Sequence, residues 1–411
     1  MELFRIGLRN VSRNWRRSIL NIVAIAIGVS VLIFGQGWIR GYYHTIYSGV
    51  RNFETGDVQL LAKGYLAEQR RFPLDIAIKN YSTIAAQLAK DPLVRAVAPR
   101  IDFLATIGSD AGSIRVLGRA IDPAAESEVT VIKQFIQKGN YLHDNGDQVL
   151  IGQPLAQKLG VSVGDTITLS AVDKDAAENY IEAVVAGIYR FGYPPVDEST
   201  VYIDLQTAQS LLGMNGEATR LVVKLKNGVS ESAGLSSIRK IAEGTPTVTY
   251  SWREFAQAVV VATSADIGGF QIIMIILYLL IIMGILNSMS MSVQERIREI
   301  GTLRAIGIRR GQLAALFLSE GVWLSLFGAA VGCVLAGIGV YYLGVVGFDF
   351  SKISSTDLPI PFGHKFTGDY LPVDFLVSIG VSVVTTLAGS IIPIHRASRL
   401  NIAASLGAHV E

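Results

Sequence analysis

Residues 269–307 read GFQIIMIILYLLIIMGILNSMSMSVQERIREIGTLRAIG, an uncharged apolar run followed at once by a basic segment. The stretch from Gly269 to Val293 contains no charged side chain, and it exceeds the roughly 20 residues that cross a bilayer core. Five arginines follow it closely: Arg296, Arg298, Arg304, Arg309 and Arg310. An apolar span that ends in a basic loop is typical of a membrane helix whose end faces the cytoplasm.

Three other segments are long and apolar enough to cross a bilayer core, and they run from about Ile19 to Ile39, Leu313 to Leu343 and Val373 to Ile394. Half of all residues are hydrophobic, 17% are charged, and the mean hydropathy is +0.41, which excludes an ordinary soluble protein. No small-residue cleavage site follows the first span, so it is interpreted as an uncleaved anchor. The sequence therefore predicts four transmembrane helices.

Arginines precede the first span and follow the last one, whereas the loop between the third and fourth spans has only two lysines. The positive-inside rule then places both termini of this multi-pass membrane protein in the cytoplasm. The predicted order is an elbow helix 1–18, first span and stalk 19–41, periplasmic domain 42–266, second span 267–293, coupling helix 294–312, third span 313–345, periplasmic loop 346–372, fourth span 373–395 and cytoplasmic tail 396–411.

The segment 42–266 alternates strand and helix patterns and is predicted to be a large extracytoplasmic α+β domain of two lobes. One lobe combines residues 52–122 with 217–250, and the other is the insertion 123–215. Aromatic and apolar residues recur every three to four positions on both sides of the domain, which predicts two helical stalks. The stalks either transmit motion from the membrane or serve as plain amphipathic connectors with aromatic anchors.

Residues 2–17 form an amphipathic pattern that predicts a helix lying on an anionic membrane surface. Its apolar face comprises Phe4, Leu8, Val11 and Trp15. The alternative is a cytoplasmic helix that packs on a partner protein.

The segment after the second span predicts a short helix that docks into a groove on another protein. Gly301 and Gly307 can each end a helix, and Leu303 with Ile306 would form an apolar tip. A basic loop that only fixes the topology is the alternative interpretation. Gly328, Gly332 and Ala336 have the small-residue spacing that lets helices approach closely, either within the subunit or between two subunits. Glu320 either pairs with a loop arginine or is solvated near the head groups.

Several classes of function are excluded by what the sequence lacks. Gly-Lys, Lys-Ser and Lys-Thr do not occur, so there is no phosphate-binding loop of the Walker type. The single cysteine, Cys333, excludes an intramolecular disulfide, and the scattered histidines argue against a metal site. A net charge of +2 gives no indication of nucleic-acid binding. The pattern Gly160–Gly164 matches a hydrolase elbow, but a helix precedes it and a strand follows, the reverse of the required order.

The string from Gln294 to Gly307, together with Phe317–Gly321, Gly328–Gly332 and the tail Pro393–Leu406, resembles the FtsX/MacB-type ABC transporter permeases. Asn401-Ile402 departs from the usual Asp-Pro of that family. The resemblance implies that a separate ABC ATPase, which would bind ATP and magnesium, docks on the coupling helix. The implied docking residues are Glu295, Arg296, Arg298, Glu299, Thr302, Leu303, Arg304, Ala305, Ile306 and Gly307.

The layout is similar to the lipoprotein-releasing Lol-type permeases, which implies a non-catalytic subunit without a cofactor of its own. We expect it to transmit force to its periplasmic domain and to release or export a lipoprotein or other amphiphile. The expected partners are ATPase subunits, a second permease copy or paralogue, membrane lipids and a periplasmic adaptor or carrier. The alternatives are an adaptor-dependent exporter of peptides or small molecules, and a non-transporting regulator of a partner such as a cell-wall hydrolase.

Overall fold

The computed structural model describes residues 2–13, 15–143, 146–295, 297–349 and 365–398. The chain divides into two compact units. The helical unit contains Met1–His44, Thr263–Phe348 and Phe366–Glu411, and the sheet unit contains Thr45–Ala262 and Asp349–Lys365.

The helices comprise four long apolar ones, the short α1 and α12 of the helical unit, and the short helices of the sheet unit. They are α1 Glu2–Arg13, α2 Trp15–Gly49, α3 Tyr65–Glu68, α4 Tyr81–Leu88, α5 Pro123–Val129, α6 Gln153–Leu159, α7 Pro194–Asp197, α8 Leu205–Leu212, α9 Glu231–Ala242, α10 Trp252–Phe255, α11 Gln257–Glu295, α12 Ile297–Ala305, α13 Arg310–Tyr341 and α14 Pro372–Ser398. Two π-helical segments, Val50–Thr55 and Tyr342–Val346, continue α2 and α13, and 3₁₀ turns occupy Gln69–Arg71 and Ile132–Phe135.

Four helical segments in the described part of the chain are long and apolar enough to cross a membrane: Ser18–Thr55, Gln257–Gly284, Gly311–Val346 and Pro372–Ile391. Within the helical unit, an ion pair joins the first to the last of these. Both terminal nitrogens of Arg40 donate to the Asp374 carboxylate, at 2.7 and 2.8 Å. Asp374 also accepts the Leu371 backbone N–H at 3.0 Å, so it caps the start of α14 while it holds Arg40.

Strands β1 to β12 belong to the sheet unit. A further short pair comes between the third and fourth spans in the sequence. The strands are β1 Val58–Ala62, β2 Ile78–Lys79, β3 Val94–Ser109, β4 Gly112–Ile121, β5 Ile136–Gly139, β6 Gln148–Gly152, β7 Thr166–Val172, β8 Glu178–Tyr189, β9 Thr200–Asp204, β10 Glu217–Ala218, β11 Arg220–Leu225, β12 Thr247–Ser251, β13 Phe348–Asp349 and β14 Lys365–Phe366.

Ten of these strands form one mixed sheet in the order β12-β1-β11-β3-β4-β9-β6-β8-β5, with β7 pairing both β3 and β8. Only β4 with β9 and β6 with β8 are parallel pairs among them. The alternation of buried and exposed residues along β7 shows a strand with one apolar face, as periodicity predicts.

Two large apolar clusters lie against this sheet. One is built from β1, β11 and their helices, with Leu60, Leu88 and Ile238 at its centre. The other collects residues from β3 to β9, among them Ile107, Leu155 and Leu169. The 16-residue strand β3 contributes to both, so the strands of the two predicted lobes form one continuous sheet. The division into two lobes stays a prediction.

Both stalk predictions can be compared with the helices. The first stalk is continuous, because α2 runs to Gly49 and passes directly into the π-helix Val50–Thr55. The second is interrupted, since α10 ends at Phe255 and Ala256 has a non-helical ψ of 33° before α11 begins. The repeat of aromatic residues persists across this break, which is why periodicity predicted a single helix.

Candidate coupling site

Most of the predicted coupling segment lies in α12, whose described residues run from Ile297 to Ala305. Its end is set by Gly307, whose φ of +101° lies in the region that glycine adopts without strain. The Ile308 N–H donates to the Leu303 carbonyl at 3.2 Å across this turn. Of the two hydrogen bonds typical of a helix that ends in glycine, this is the one between residues five positions apart. Gly301 lies inside α12, so the expectation that it also ends a helix was wrong.

Four of the residues implied to dock the ATPase lie exposed together at the end of α12: Thr302, Ala305, Ile306 and Gly307. The Ile306 side chain is 76% exposed. Leu303 instead is half-buried and packs with Ile300 and Leu313, so it belongs to the interior of this helical turn. Ile306 alone therefore provides the exposed apolar tip that the sequence assigned to both residues.

The charged residues of the segment are described only in part. Glu299 is exposed and its carboxylate lies 3.9 Å from the Arg13 guanidinium, a surface pair that contributes little. Arg296 and the side chains of Glu295, Arg298 and Arg304 lie outside the described residues.

The elbow helix α1 shows a different face from the predicted one. Val11 is 6% exposed and packs with Ile25 and Leu324, so its assignment to a membrane-facing surface was wrong. Leu8 and Trp15 are exposed, as a surface helix requires, and the Phe4 side chain lies outside the described residues. Amphipathic periodicity could not distinguish a membrane surface from the helices of the same chain.

Gly328 and Gly332 of α13 pack directly on α2. A Cβ added at Gly328 would lie 2.7 Å from the Ile25 Cβ, and one added at Gly332 would lie 2.7 Å from the Ala26 carbonyl oxygen. Ala336, one turn further, is buried in the same cluster. Of the two interpretations that the small-residue spacing left open, the structure shows packing within the subunit. Glu320, near the start of the same helix, is buried, not solvated.

The π-helix after α2 brings Glu54 into a cluster of buried charges on the sheet. Both terminal nitrogens of Arg119 on β4 donate to the Glu54 carboxylate, each at 2.7 Å. The Arg119 Nε donates to Asp102 on β3 at 2.8 Å. Such forked, charge-assisted bonds are among the strongest that side chains form. The end of the first stalk is therefore held by an arginine of the central sheet.

A second arginine, Arg100, also bonds the end of the first stalk. Arg100 donates to both carboxylate oxygens of Glu126 at 3.0 and 2.5 Å, and its third nitrogen donates to the Glu54 backbone carbonyl at 2.5 Å. Arg100 and Glu126 are both completely buried. Thr130 also donates to Glu126 at 2.8 Å, so this pair is well satisfied.

Arg220 on β11 is the incompletely bonded member of the cluster. It is completely buried, and its Nη2 lies 2.7 Å from Asp102 and 3.7 Å from Glu54. Within the described residues, none of its three guanidinium nitrogens has a well-aligned hydrogen bond. Its guanidinium carbon lies 5.2 Å from the centre of the Phe255 ring, which belongs to the second stalk. The cluster thus contacts both stalks within the sheet unit.

The acid most strongly affected by these arginines is Asp102. Burial opposes its ionisation, but the guanidinium groups of Arg119 and Arg220 outweigh burial and lower the pKa of Asp102 to about 2. Burial also lowers the pKa of Arg220. Three arginines face three carboxylates here, so the cluster, which we call the stalk charge cluster (Glu54, Arg100, Asp102, Arg119, Glu126 and Arg220), is neutral as a whole.

The start of the second stalk packs on the first. The rings of Trp252 and Tyr47 have centroids 5.0 Å apart, and the Trp252 Nε1 donates to Glu231 at 3.0 Å. Ser251 and Glu254 form a reciprocal capping box that begins α10. The sequence shows this box as Ser-x-x-Glu, a signal that would have placed a helix start there.

Sequence reasoning missed the stalk charge cluster, because its six members come from five separate elements. The available signal was a charged residue at an inward position of an apolar strand, as Arg119 is in β4 and Arg220 is in β11. Among the described residues, no group of three or more His, Cys, Asp or Glu side chains is placed to hold a metal ion. The arrangement suits mechanical attachment, since it provides strong directional bonds and no activated nucleophile.

The chain is similar to two named permeases over more than nine-tenths of its length, and to one solved structure over about half. The lipoprotein-releasing system transmembrane protein LolE of Haemophilus influenzae is 24% identical, over 94% of this chain and 93% of its own. The macrolide export ATP-binding/permease protein MacB 1/2 of Paracoccus denitrificans is 24% identical, over 97% of this chain but 58% of its own. The periplasmic region of MacB from Actinobacillus actinomycetemcomitans overlaps 52% of this chain and 97% of that structure, with 12% identity and a TM-score of 0.37.

Two family matches divide the chain between them. Residues 18–241 match the MacB-like periplasmic core domain, and residues 271–402 match the FtsX-like permease C-terminal domain. The first match alone covers more than half of the 411 residues, so the chain belongs to the FtsX/MacB-type family of ABC transporter permeases.

Proposed function

We propose that this protein is the permease subunit of an ATP-driven transporter of the bacterial inner membrane, with both termini in the cytoplasm, and that it transmits force from a separate ATPase to its periplasmic domain. The observation that carries the proposal is the helix that starts in the first apolar span and ends at the stalk charge cluster. Its 38 residues, Ser18–Thr55, extend about 57 Å, whereas a bilayer core is about 30 Å thick. The helix is continuous from the first apolar span to Thr55.

In this proposal, ATP and magnesium are bound by the partner ATPase, which docks on α12 around Ile306. Closure of the ATPase moves the membrane helices, and the first stalk passes that movement to Arg119 and Asp102 through Glu54. The forked bonds resist both sliding and rotation of the stalk end. A second permease copy or paralogue completes the transporter.

For the substrate we propose a lipoprotein or another amphiphile. The similarity to LolE, which covers more than nine-tenths of both chains, supports this choice. Export of a small molecule with a periplasmic adaptor is the second candidate, supported by the similarity to a macrolide exporter of which the chain covers 58%. Release of a fluorescent lipoprotein from proteoliposomes by the complex, compared with efflux of a macrolide, distinguishes the two.

Ile306→Asp tests the docking of the ATPase. Since Ile306 is exposed, the change should leave the fold intact, while a carboxylate at the centre of an apolar contact should lower ATPase binding by about 2 kcal/mol or more. The measurement is the amount of ATPase that co-purifies with the tagged chain in detergent, together with the ATP turnover of the complex.

Val172→Asp, an equally drastic change at another exposed apolar position, is the matched control and should retain the ATPase. Leu303→Asp is a poorer test, because Leu303 packs inside the turn and its loss would disturb the helix itself. Full ATPase recovery with Ile306→Asp would rule out α12 as the docking element.

A further inference from the structure

A polar cavity of about 470 Å³ lies beside the end of the first stalk, in the sheet unit. The stalk forms one wall with Ser48 and Arg51, and the end of β11 with the following turn forms another. Its volume is within the range of about 300–1,000 Å³ that is usual for small-molecule sites. It shares no residue with the stalk charge cluster.

Positive charge exceeds negative charge around this cavity. Its cationic side chains are Arg51, Arg95, Lys224 and Lys226, and its acidic ones are Asp57 and Glu128. Four cations against two acids leave two positive charges without a partner in the lining.

Both acids are already engaged. Asp57 has a side chain only 3% exposed, and it accepts from Arg51 and from the Leu225 backbone N–H at 2.9 Å. Glu128 is exposed and lies 3.4 Å from Arg95, so it neutralises the rim and not the interior. Neither carboxylate therefore compensates the lysines fully.

Lys224 is the cation placed deepest. Its side chain is 16% exposed, its amine donates to the Asn52 side-chain oxygen at 2.7 Å, and the nearest Asp57 oxygen is 3.8 Å away. Burial lowers the pKa of Lys224, and repulsion from Arg51 and Arg95 adds to this effect against the attraction of Asp57. An anion bound in the cavity would offset both the burial of the Lys224 ammonium group and its repulsion from the two arginines.

We propose that this cavity binds a phosphate group, held by Lys224, Lys226 and the Nη1 of Arg51, whose Nε and Nη2 donate to Asp57. The two unpartnered positive charges match a phosphate dianion, and arginine and lysine are the side chains that bind phosphate oxygens best. The polar lining argues against an acyl chain as the occupant. The phosphate can belong to an anionic lipid head group or to a soluble phosphate, and the two sources differ in how the protein responds to its membrane.

The test uses the full-length protein in nanodiscs of phosphatidylcholine, with inorganic phosphate titrated at constant ionic strength against chloride. Binding should raise the thermal unfolding midpoint, since a ligand that binds only the folded state stabilises it. Lys224→Gln and Lys226→Gln should each weaken the apparent affinity roughly tenfold, as expected for one lost bond to a charged group. Lys90→Gln, an exposed lysine outside the cavity, is the matched control and should respond as the unmodified protein does.

Nanodiscs that contain phosphatidic acid, whose phosphomonoester head group can carry two negative charges, distinguish the two sources. If the ligand is a lipid head group, these discs should raise the unfolding midpoint without added phosphate, and Lys226→Gln should reduce that rise, as a roughly tenfold weaker affinity requires. If it is a soluble phosphate, only the titration should have an effect. Because Lys226 is exposed, its variant should fold even if Lys224→Gln does not. Equal responses of Lys226→Gln and Lys90→Gln in both kinds of disc would overturn the proposal.

Discussion

Glu54 lies between two arginines that are bonded very differently. It makes a fork with Arg119 at 2.7 Å, while Arg220 lies 3.7 Å away and lacks well-aligned hydrogen bonds among the described residues. Buried ion pairs are often no more stabilising than apolar residues of similar volume, so a contribution to stability does not explain this cluster. We interpret this cluster as a device that fixes one defined position of the stalk end, with Arg220 as a second partner within a short movement.

A fall in pH should lower the free energy of unfolding of the sheet unit, because Asp102 becomes protonated. The pKa of Asp102 is about 2 in the folded protein and about 4 in an unfolded chain, so its stabilising contribution is present above pH 4 and is lost as the pH falls towards 2. Unfolding midpoints of the detergent-solubilised protein between pH 5 and pH 2 measure this loss.

Asp102→Asn should make the unfolding midpoint less dependent on pH between pH 4 and pH 2. At neutral pH it should lower the free energy of unfolding by about 3–5 kcal/mol, because two buried arginines lose a carboxylate partner. Asp110→Asn, at an exposed carboxylate nearby in sequence, should change neither quantity. A profile for Asp102→Asn as steep as that of the unmodified protein would contradict the assignment.

At the scale of elements, α13 contains glycines that differ in whether a larger residue can replace them. Gly332 lies against the Ala26 carbonyl and the Val29 Cβ, whereas a Cβ at Gly337 would meet nothing within 4 Å. Close approach of α2 and α13 therefore requires a glycine at position 332 but not at position 337.

Gly332→Ala should thus destabilise the helical unit by about 1–3 kcal/mol through overpacking. Gly337→Ala should leave it unchanged or stabilise it by up to about 1 kcal/mol, since alanine is the better helix former. Thermal unfolding of both variants in the same detergent makes the comparison, and equal midpoints would show that α2 and α13 are not in backbone contact.

The elements also show what the sequence could and could not predict. The apolar spans, the first stalk and the family were predictable because each depends on residues that are neighbours in the chain. Val11 and Leu303 were misplaced because an apolar side chain fits a membrane, a partner or its own protein equally well. The pairing of Glu54 with Arg119 depends on the folding of distant segments, which no local pattern records.

For the whole molecule, the central question is whether force needs an unbroken first stalk. His44 lies on that helix with an exposed side chain, between the predicted span and the stalk charge cluster. It is therefore a position where the backbone can be altered without loss of side-chain packing.

His44→Pro should break the helix locally, at a cost of about 3 kcal/mol, because proline removes a backbone donor and clashes with the preceding turn. The variant should still hydrolyse ATP with its partner but release far less labelled lipoprotein per ATP from proteoliposomes. His44→Ala, which keeps the helix, should match the unmodified protein. Unchanged release with His44→Pro would show that the movement reaches the sheet by another route.

The long strand β3 has a consequence for the integrity of the periplasmic domain. It pairs with β11 along its first half and with β4 and β7 along its second, while β4 in turn pairs with β9 of the insertion. Excising residues 123–215 would therefore bare one edge of β4 and one of β3, and unpaired edges invite association with other chains. The insertion therefore cannot be removed without consequence, because its strands cover edges of β3 and β4 that would otherwise promote aggregation.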